Sequence, residues 1–144
     1  MSTSMLRIQD CMTRSPHSIG ADQKVGLART LMRGHRIRHL PVLRGGRLVG
    51  MISERDIYWI ETLMGQEGDD VMVSEAMSPR PYAVAPEAPL SEVVREMAEH
   101  KYGSAVVLKG EQVVVGVFTT TDALAVLAAL LTEQETAEPA ARPT

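Results

Sequence analysis

The stretch Gly50-Met51-Ile52-Ser53-Glu54-Arg55-Asp56 returns 66 residues later as Gly116-Val117-Phe118-Thr119-Thr120-Thr121-Asp122. Both copies read glycine, two apolar residues, a hydroxyl residue, two variable positions and an aspartate. The apolar pair followed by a hydroxyl marks a strand running into the start of a helix. There the hydroxyl can satisfy one of the free backbone N–H groups. Serine or threonine with an acid three residues on is a helix capping box. The same place suits a ligand: glycine lets backbone or ligand approach closely, and the unpaired N–H groups and dipole of a helix start favour anions. An aspartate one turn in is placed to accept hydrogen bonds from a ribose diol. Capping and ligand contact by one hydroxyl are compatible.

Outward from this motif the whole chain repeats. At an offset of 65, Asp10-Cys11-Met12 meets Glu75-Ala76-Met77, Pro16 meets Pro81, Ile19 meets Val84, and Val25 meets Leu90. Met32, Ile37, Val42 and Gly45 meet Met97, Tyr102, Val107 and Gly110 at the same offset. Beyond that turn the offset becomes 66, so one residue is inserted in a surface hairpin, where insertions are tolerated. An internal repeat decides the fold before any local reading does. The boundaries expected are repeat 1 at 8–64, a Gly- and acid-rich linker at 65–72, repeat 2 at 73–131, and a tail at 132–144. Polarity with Pro139 and Pro143 predicts that the tail is disordered.

Each repeat reads as β-α-β-β-α. A short extended piece follows a proline (His17–Ile19, Tyr82–Val84). A helix then places Val25, Ala28, Leu31 and Met32, or Leu90, Val93, Val94 and Met97, at helical spacing. Pro89 suits the first helical position. Two apolar strands follow, Leu40–Leu43 and Leu48–Ile52 around Gly45-Gly46, then Ala105–Leu108 and Val113–Phe118 around Lys109-Gly110-Glu111. Glycine supplies the positive φ that a hairpin turn needs. A last helix opens at Ser53 or Thr119. Strands without alternation are expected to be covered on both faces, and one such unit buries too little surface to be secure alone. The fold expected is therefore α/β (α+β), two β-α-β-β-α units packed sheet to sheet about a pseudo-two-fold axis, with a cleft between them.

Composition narrows the function. The chain has 144 residues, 44% of them hydrophobic and 3% aromatic, so the core must be built from Val, Leu, Ile, Ala and Met. A formal net charge of −3 offers no broad basic field, and with so few aromatic platforms nucleic-acid binding is disfavoured. The single cysteine, Cys11, excludes an internal disulfide and is expected to be an inert thiol. His17, His35, His39 and His100 lack metal-ligand spacing, so no metal is expected. The opening residues carry no signal-type apolar core, and Ala123–Leu131 is too short to span a bilayer, so a cytoplasmic location is expected. No paired carboxylates or activated nucleophile point to an enzyme.

The chain resembles a pair of CBS domains, also called a Bateman module. The residues that carry the resemblance are Ile8 to Met12, Ile37-Arg38-His39-Leu40-Pro41-Val42 and Gly50 to Asp56, then Val73 to Met77, Tyr102-Gly103-Ser104-Ala105-Val106-Val107 and Gly116 to Asp122. The resemblance implies a cleft for an adenosine-type ligand such as AMP, ADP, ATP, S-adenosylmethionine or NAD, with no obligatory cofactor. It assigns the ribose to Asp56 and Asp122, and a nearby hydroxyl to Ser53 and Thr119. It places the adenine near Ile19, Leu40 and Pro41, or near Val84, Ala105 and Val106.

Arg33 to His39 concentrates basic side chains that the second repeat lacks. Arg33 and Arg36 read as a solvated helix end. Arg38 and His39 match family positions that touch phosphate, and arginine grips phosphate through a bidentate fork. The second repeat has Gly103-Ser104 there, so the two sites are not expected to be equivalent. The function expected is a sensor that binds an adenosine nucleotide and acts through the geometry of its own dimer or of a protein target. The alternative is a structural dimer with a vestigial cleft. Tyr58, Trp59 and the Ala123–Leu131 stripe are expected to be buried in a symmetric homodimer.

Overall fold

The computed structural model describes residues 5–137. In chain order the elements are α1 (Ile8–Cys11), β1 (Thr13–Arg14), β2 (Ile19–Gly20), α2 (Val25–His35), β3 (His39–Arg44), β4 (Arg47–Ser53) and α3 (Glu54–Met64). After a 3-10 turn at Gly65–Asp70 come α4 (Val73–Ala76), β5 (Ser78–Pro79), β6 (Ala83–Val84), α5 (Leu90–His100), β7 (Ser104–Lys109), β8 (Val113–Thr119) and α6 (Thr120–Ala137). The fold is mixed α and β, with the two hairpins carrying matching register shifts at Val42/Leu43 and Val107/Leu108.

The two sheets do not coincide with the two repeats. One sheet runs β2-β3-β4-β5 and the other β1-β8-β7-β6. Each repeat therefore lends its first short strand to the other's sheet: Thr13 pairs with Val117, and Ser78 pairs with Met51. The preceding helical turns cross over with them. Ile8, fully buried, packs with Val93, Met97 and Phe118 of the second repeat, while Val73, also fully buried, packs with Val25, Met32 and Ile52 of the first. A third cluster, Leu48, Met51 and Val106, fills the space between the sheets, so the central strands are covered on both faces.

This exchange explains the repeated glycines. A Cβ on Gly116 would run into the Met12 side chain, and one on Gly50 would run into Met77 and lie 2.9 Å from the Ser78 carbonyl. What approaches these glycines is the methionine of the exchanged helical turn, not the ligand that their place in the motif suggested.

One expectation needs correction. The tail expected to be disordered from residue 132 begins as helix, because α6 continues to Ala137. Residues 132–137 lack Pro and Gly and continue the helical hydrogen bonding, with Thr136 Oγ1 donating to the Thr132 carbonyl. Residues 138–144 lie outside the described residues. The 65–72 stretch expected as a linker is tied down: Gly68 is buried against Ile60, and Arg29 bonds Asp69 while its Nε lies 3.3 Å from Glu61.

α6 buries none of its residues, and Leu124, Leu127, Leu130 and Leu131 are exposed, as are Tyr58, Trp59 and Leu63 on α3. Among the described residues no helix is long and apolar enough to cross a membrane.

Candidate functional site

The repeated motif forms the expected caps. Ser53 precedes α3 with extended backbone; its Oγ accepts from the Asp56 N–H at 3.2 Å, and Asp56 Oδ2 accepts from the Ser53 N–H at 2.9 Å and from its hydroxyl at 3.0 Å. Thr119 and Asp122 repeat the arrangement before α6, at 3.3, 2.9 and 3.2 Å. In each box one carboxylate oxygen, Oδ2, takes both bonds, which leaves Oδ1 outside the cap. The capping and ligand-binding readings are therefore compatible at the level of single atoms.

A cleft of about 540 Å³ opens beside the first box. The first repeat contributes Arg38, His39, Met51 and the run Ser53 to Asp56, which includes the Glu54 carboxylate. The second contributes Ser78, Pro81, Tyr82 and the loop Lys101–Ser104, with Thr120 at its edge. The Tyr82 and Tyr102 rings stack with centroids 5.0 Å apart on one wall. Burial, with Glu96 adding to it, pushes the Tyr82 phenol above its ordinary range, so it stays protonated and uncharged. The two loops that precede β3 and β7 meet here: a side chain on Gly103 would lie 3.3 Å from His39 Nε2.

Of the residues expected to bind, the structure gathers Ser53, Asp56, Arg38 and His39 around one cleft. Thr119 and Asp122 are not among its lining residues, although the neighbouring Thr120 is. Leu40, Pro41, Ala105 and Val106 are fully buried and are not among the residues that line this cleft. Val84 packs against the second core, and Ile19 borders a smaller cleft of about 370 Å³ at the β3–β4 hairpin. Reading along the chain missed Arg55, Lys101, Tyr82 and Tyr102. Arg55 stood inside the quoted motif, and the other three belong to the opposite repeat, which only the exchange of strands brings across.

Arg38 is exposed and its Nε lies 3.9 Å from Glu54. The His39 ring is half-buried. Burial pushes it below 6.5, with Arg38 adding to the shift and with Asp56 and Glu54 opposing it. His39 is therefore neutral at pH 7 and acts in the cleft as a hydrogen-bonding group. The unfolded chain binds a proton near pH 6.5 while the folded chain resists it, so folding stability falls as pH drops below about 6.5 toward the folded pKa. Thermal midpoints between pH 5 and 7.5 are expected to decline toward acid in the wild type and to decline less in His39→Gln. An equal acid decline in the variant would show that His39 is not the titrating group.

Cys11 is half-buried, and burial together with Asp10 raises its pKa, as suits an inert thiol. His100 does have ligand-type neighbours: with Glu96 and Glu99 it brings three donor atoms within 4.8 Å of one another on α5, though its Nε2 already faces Glu96 at 3.3 Å.

The CBS domain family model matches residues 8–59 and 73–129, and the chain belongs to that family. The CBS domain-containing protein YhcV of Bacillus subtilis is 32% identical over 97 residues, 67% of this chain and 69% of that protein. An inosine-5′-monophosphate dehydrogenase of Korarchaeum cryptofilum is 30% identical over 122 residues, 85% of this chain, but the chain spans only 24% of that enzyme's length. Among solved structures, a Vibrio cholerae protein described under acetoin utilization (AcuB) superposes with a TM-score of 0.81 at 31% identity, covering 94% of this chain and all of that one. CBSX2 in complex with AMP has the same fold, with a TM-score of 0.74 at 24% identity over 88% of this chain and 98% of that one.

Proposed function

We propose that this chain is a regulatory module that binds an adenosine nucleotide in the cleft between its repeats and signals through the geometry of its dimer or of a protein target. The observation that carries this reading is the convergence on one open cleft of the Ser53–Asp56 cap, a stacked tyrosine pair and several cations. Asp56 Oδ1 would accept from the ribose hydroxyls, and the Tyr82 and Tyr102 wall offers an apolar face for the base. Arg38 would reach the phosphates, with neutral His39 donating one hydrogen bond. The AMP complex of a protein with this fold supports the ligand class. Thr119 and Asp122 would serve as a cap alone, so one nucleotide per chain is the stoichiometry proposed.

The exposed leucines of α6 and the Tyr58–Trp59 pair of α3 favour a homodimer as the assembly through which binding is felt. A signal of this kind requires that the nucleotide bind two states with different affinity. A thermal-shift screen of AMP, ADP, ATP, NAD and S-adenosylmethionine tests the reading. At least one is expected to raise the midpoint in a concentration-dependent way, and to leave solution unaltered after incubation. No shift with any of them would favour the structural dimer with a vestigial cleft.

A further inference from the structure

The positive charge around the cleft comes from both repeats, and its parts are not equally available. Arg38 is shared with Glu54 at 3.9 Å. Arg55, in the first turn of α3, and Lys101, at the end of α5, line the same cleft, and neither makes an ion pair among the described residues. Lys101 shares its backbone position with Arg36, which closes α2 at φ 56° but does not line the cleft. It closes α5 in the left-handed region at φ 59°, with its N–H donating to the Met97 carbonyl. Glycine adopts that conformation without steric cost and is the common residue at such helix ends. A cation therefore stands where glycine would suit the backbone better. The loop that carries it is seated firmly, since Gly103 lies against His39 and its carbonyl accepts from the Thr120 N–H at 3.2 Å.

We propose that Lys101, with Arg55, holds the phosphate chain of a nucleotide whose ribose rests on Asp56, so that the cleft selects nucleoside di- and triphosphates over uncharged or cationic nucleosides. This rests on the nucleotide reading of the cleft. It differs from what the sequence suggested, because the decisive cation comes from the second repeat, whose Gly103-Ser104 had marked it as the uncharged half. Two unshared cations at the mouth of a cleft attract each added phosphate, whereas S-adenosylmethionine, with its sulfonium charge, meets repulsion from the same groups. A ligand bridging Asp56 and Lys101 also spans the two repeats, so its binding constrains how their sheets sit together.

Calorimetric titration of the full chain with ATP, AMP, adenosine, S-adenosylmethionine and sodium tripolyphosphate tests this. The proteins compared are the wild type, Lys101→Gly, and Lys109→Met as a control at the far end of β7. Wild type is expected to bind ATP more tightly than adenosine, by a margin that shrinks with added salt. Lys101→Gly is expected to lower ATP affinity about tenfold, the effect of losing one charge-assisted bond, to leave adenosine affinity unchanged, and to melt no lower than wild type. The control should match wild type. Equal ATP binding by Lys101→Gly and wild type overturns the proposal, as does a wild type that binds adenosine as tightly as ATP. Tripolyphosphate bound in a Lys101-dependent way, with no adenosine compound binding, upholds the phosphate role and overturns the nucleotide reading. Failure of both ATP and tripolyphosphate to bind overturns both.

Discussion

Asp56→Ala is expected to weaken binding of the nucleotide by about a hundredfold, while Asp122→Ala leaves it within about twofold of wild type. Two ribose hydroxyls donating to one ionised carboxylate contribute about 3 kcal/mol together, and that is the loss when the acceptor is removed. The second variant separates ligand chemistry from folding. The capping boxes at Ser53–Asp56 and Thr119–Asp122 match in partners and agree in distance within 0.2 Å. Both substitutions should therefore cost about 1 kcal/mol of helix capping. Only Asp56 lines the cleft that also holds Arg38, Arg55, Lys101 and the tyrosine pair. Calorimetry and thermal melts on the two variants read both quantities. Equal losses of affinity would mean that the ribose is not held by Asp56 alone, and no loss in either would leave the carboxylates as caps.

The second large effect lies in the core. Gly116→Ala is expected to destabilise the fold by about 2 kcal/mol or more, because the added methyl collides with the Met12 side chain in a packed interior. All three of the nearest atoms belong to Met12, a flexible side chain, so Met12→Ala should recover much of the loss in the double variant. Gly50→Ala behaves differently. Removing the Met77 side chain still leaves the Ser78 carbonyl 2.9 Å from the new methyl, and a backbone oxygen in a paired strand cannot withdraw. Urea unfolding of the single and double variants gives the two coupling energies. A coupling near zero for Gly116 with Met12 would show that the exchanged helical turn does not sit where the structure puts it.

These two tests meet the two levels of the chain. The caps were legible because a cap is local: a hydroxyl and an acid three residues apart find each other whatever the rest of the chain does. The helices and hairpins were legible for the same reason, since Val25, Ala28 and Met32 share a helix face by spacing alone, and all three are buried. The full burial of Leu40, Pro41, Ala105 and Val106 was not legible, because nearness in sequence does not tell a cleft wall from the core beneath it. His39 was legible as a site residue but not in its charge, because the burial that depresses its pKa comes from its surroundings in the folded chain.

By itself, the sequence determined that the fold is a duplication, where the long helices and the hairpins lie, and that an aspartate follows a capping hydroxyl twice. Only the tertiary structure decided what lines the cleft beside Ser53 and Asp56. Ile8 and Val73 can be buried in either half, and each is fully buried in the core of the other repeat. That exchange turns Ser78, Pro81 and Tyr82 toward Ser53 and Asp56, and the packing of Gly103 on His39 brings Lys101 alongside. Strand partners are chosen by which distant apolar surfaces are buried together, and no spacing along the chain records that choice. The feature that the sequence doubled thus stands in two settings: two caps of one kind, with a cleft lined by both repeats beside the first.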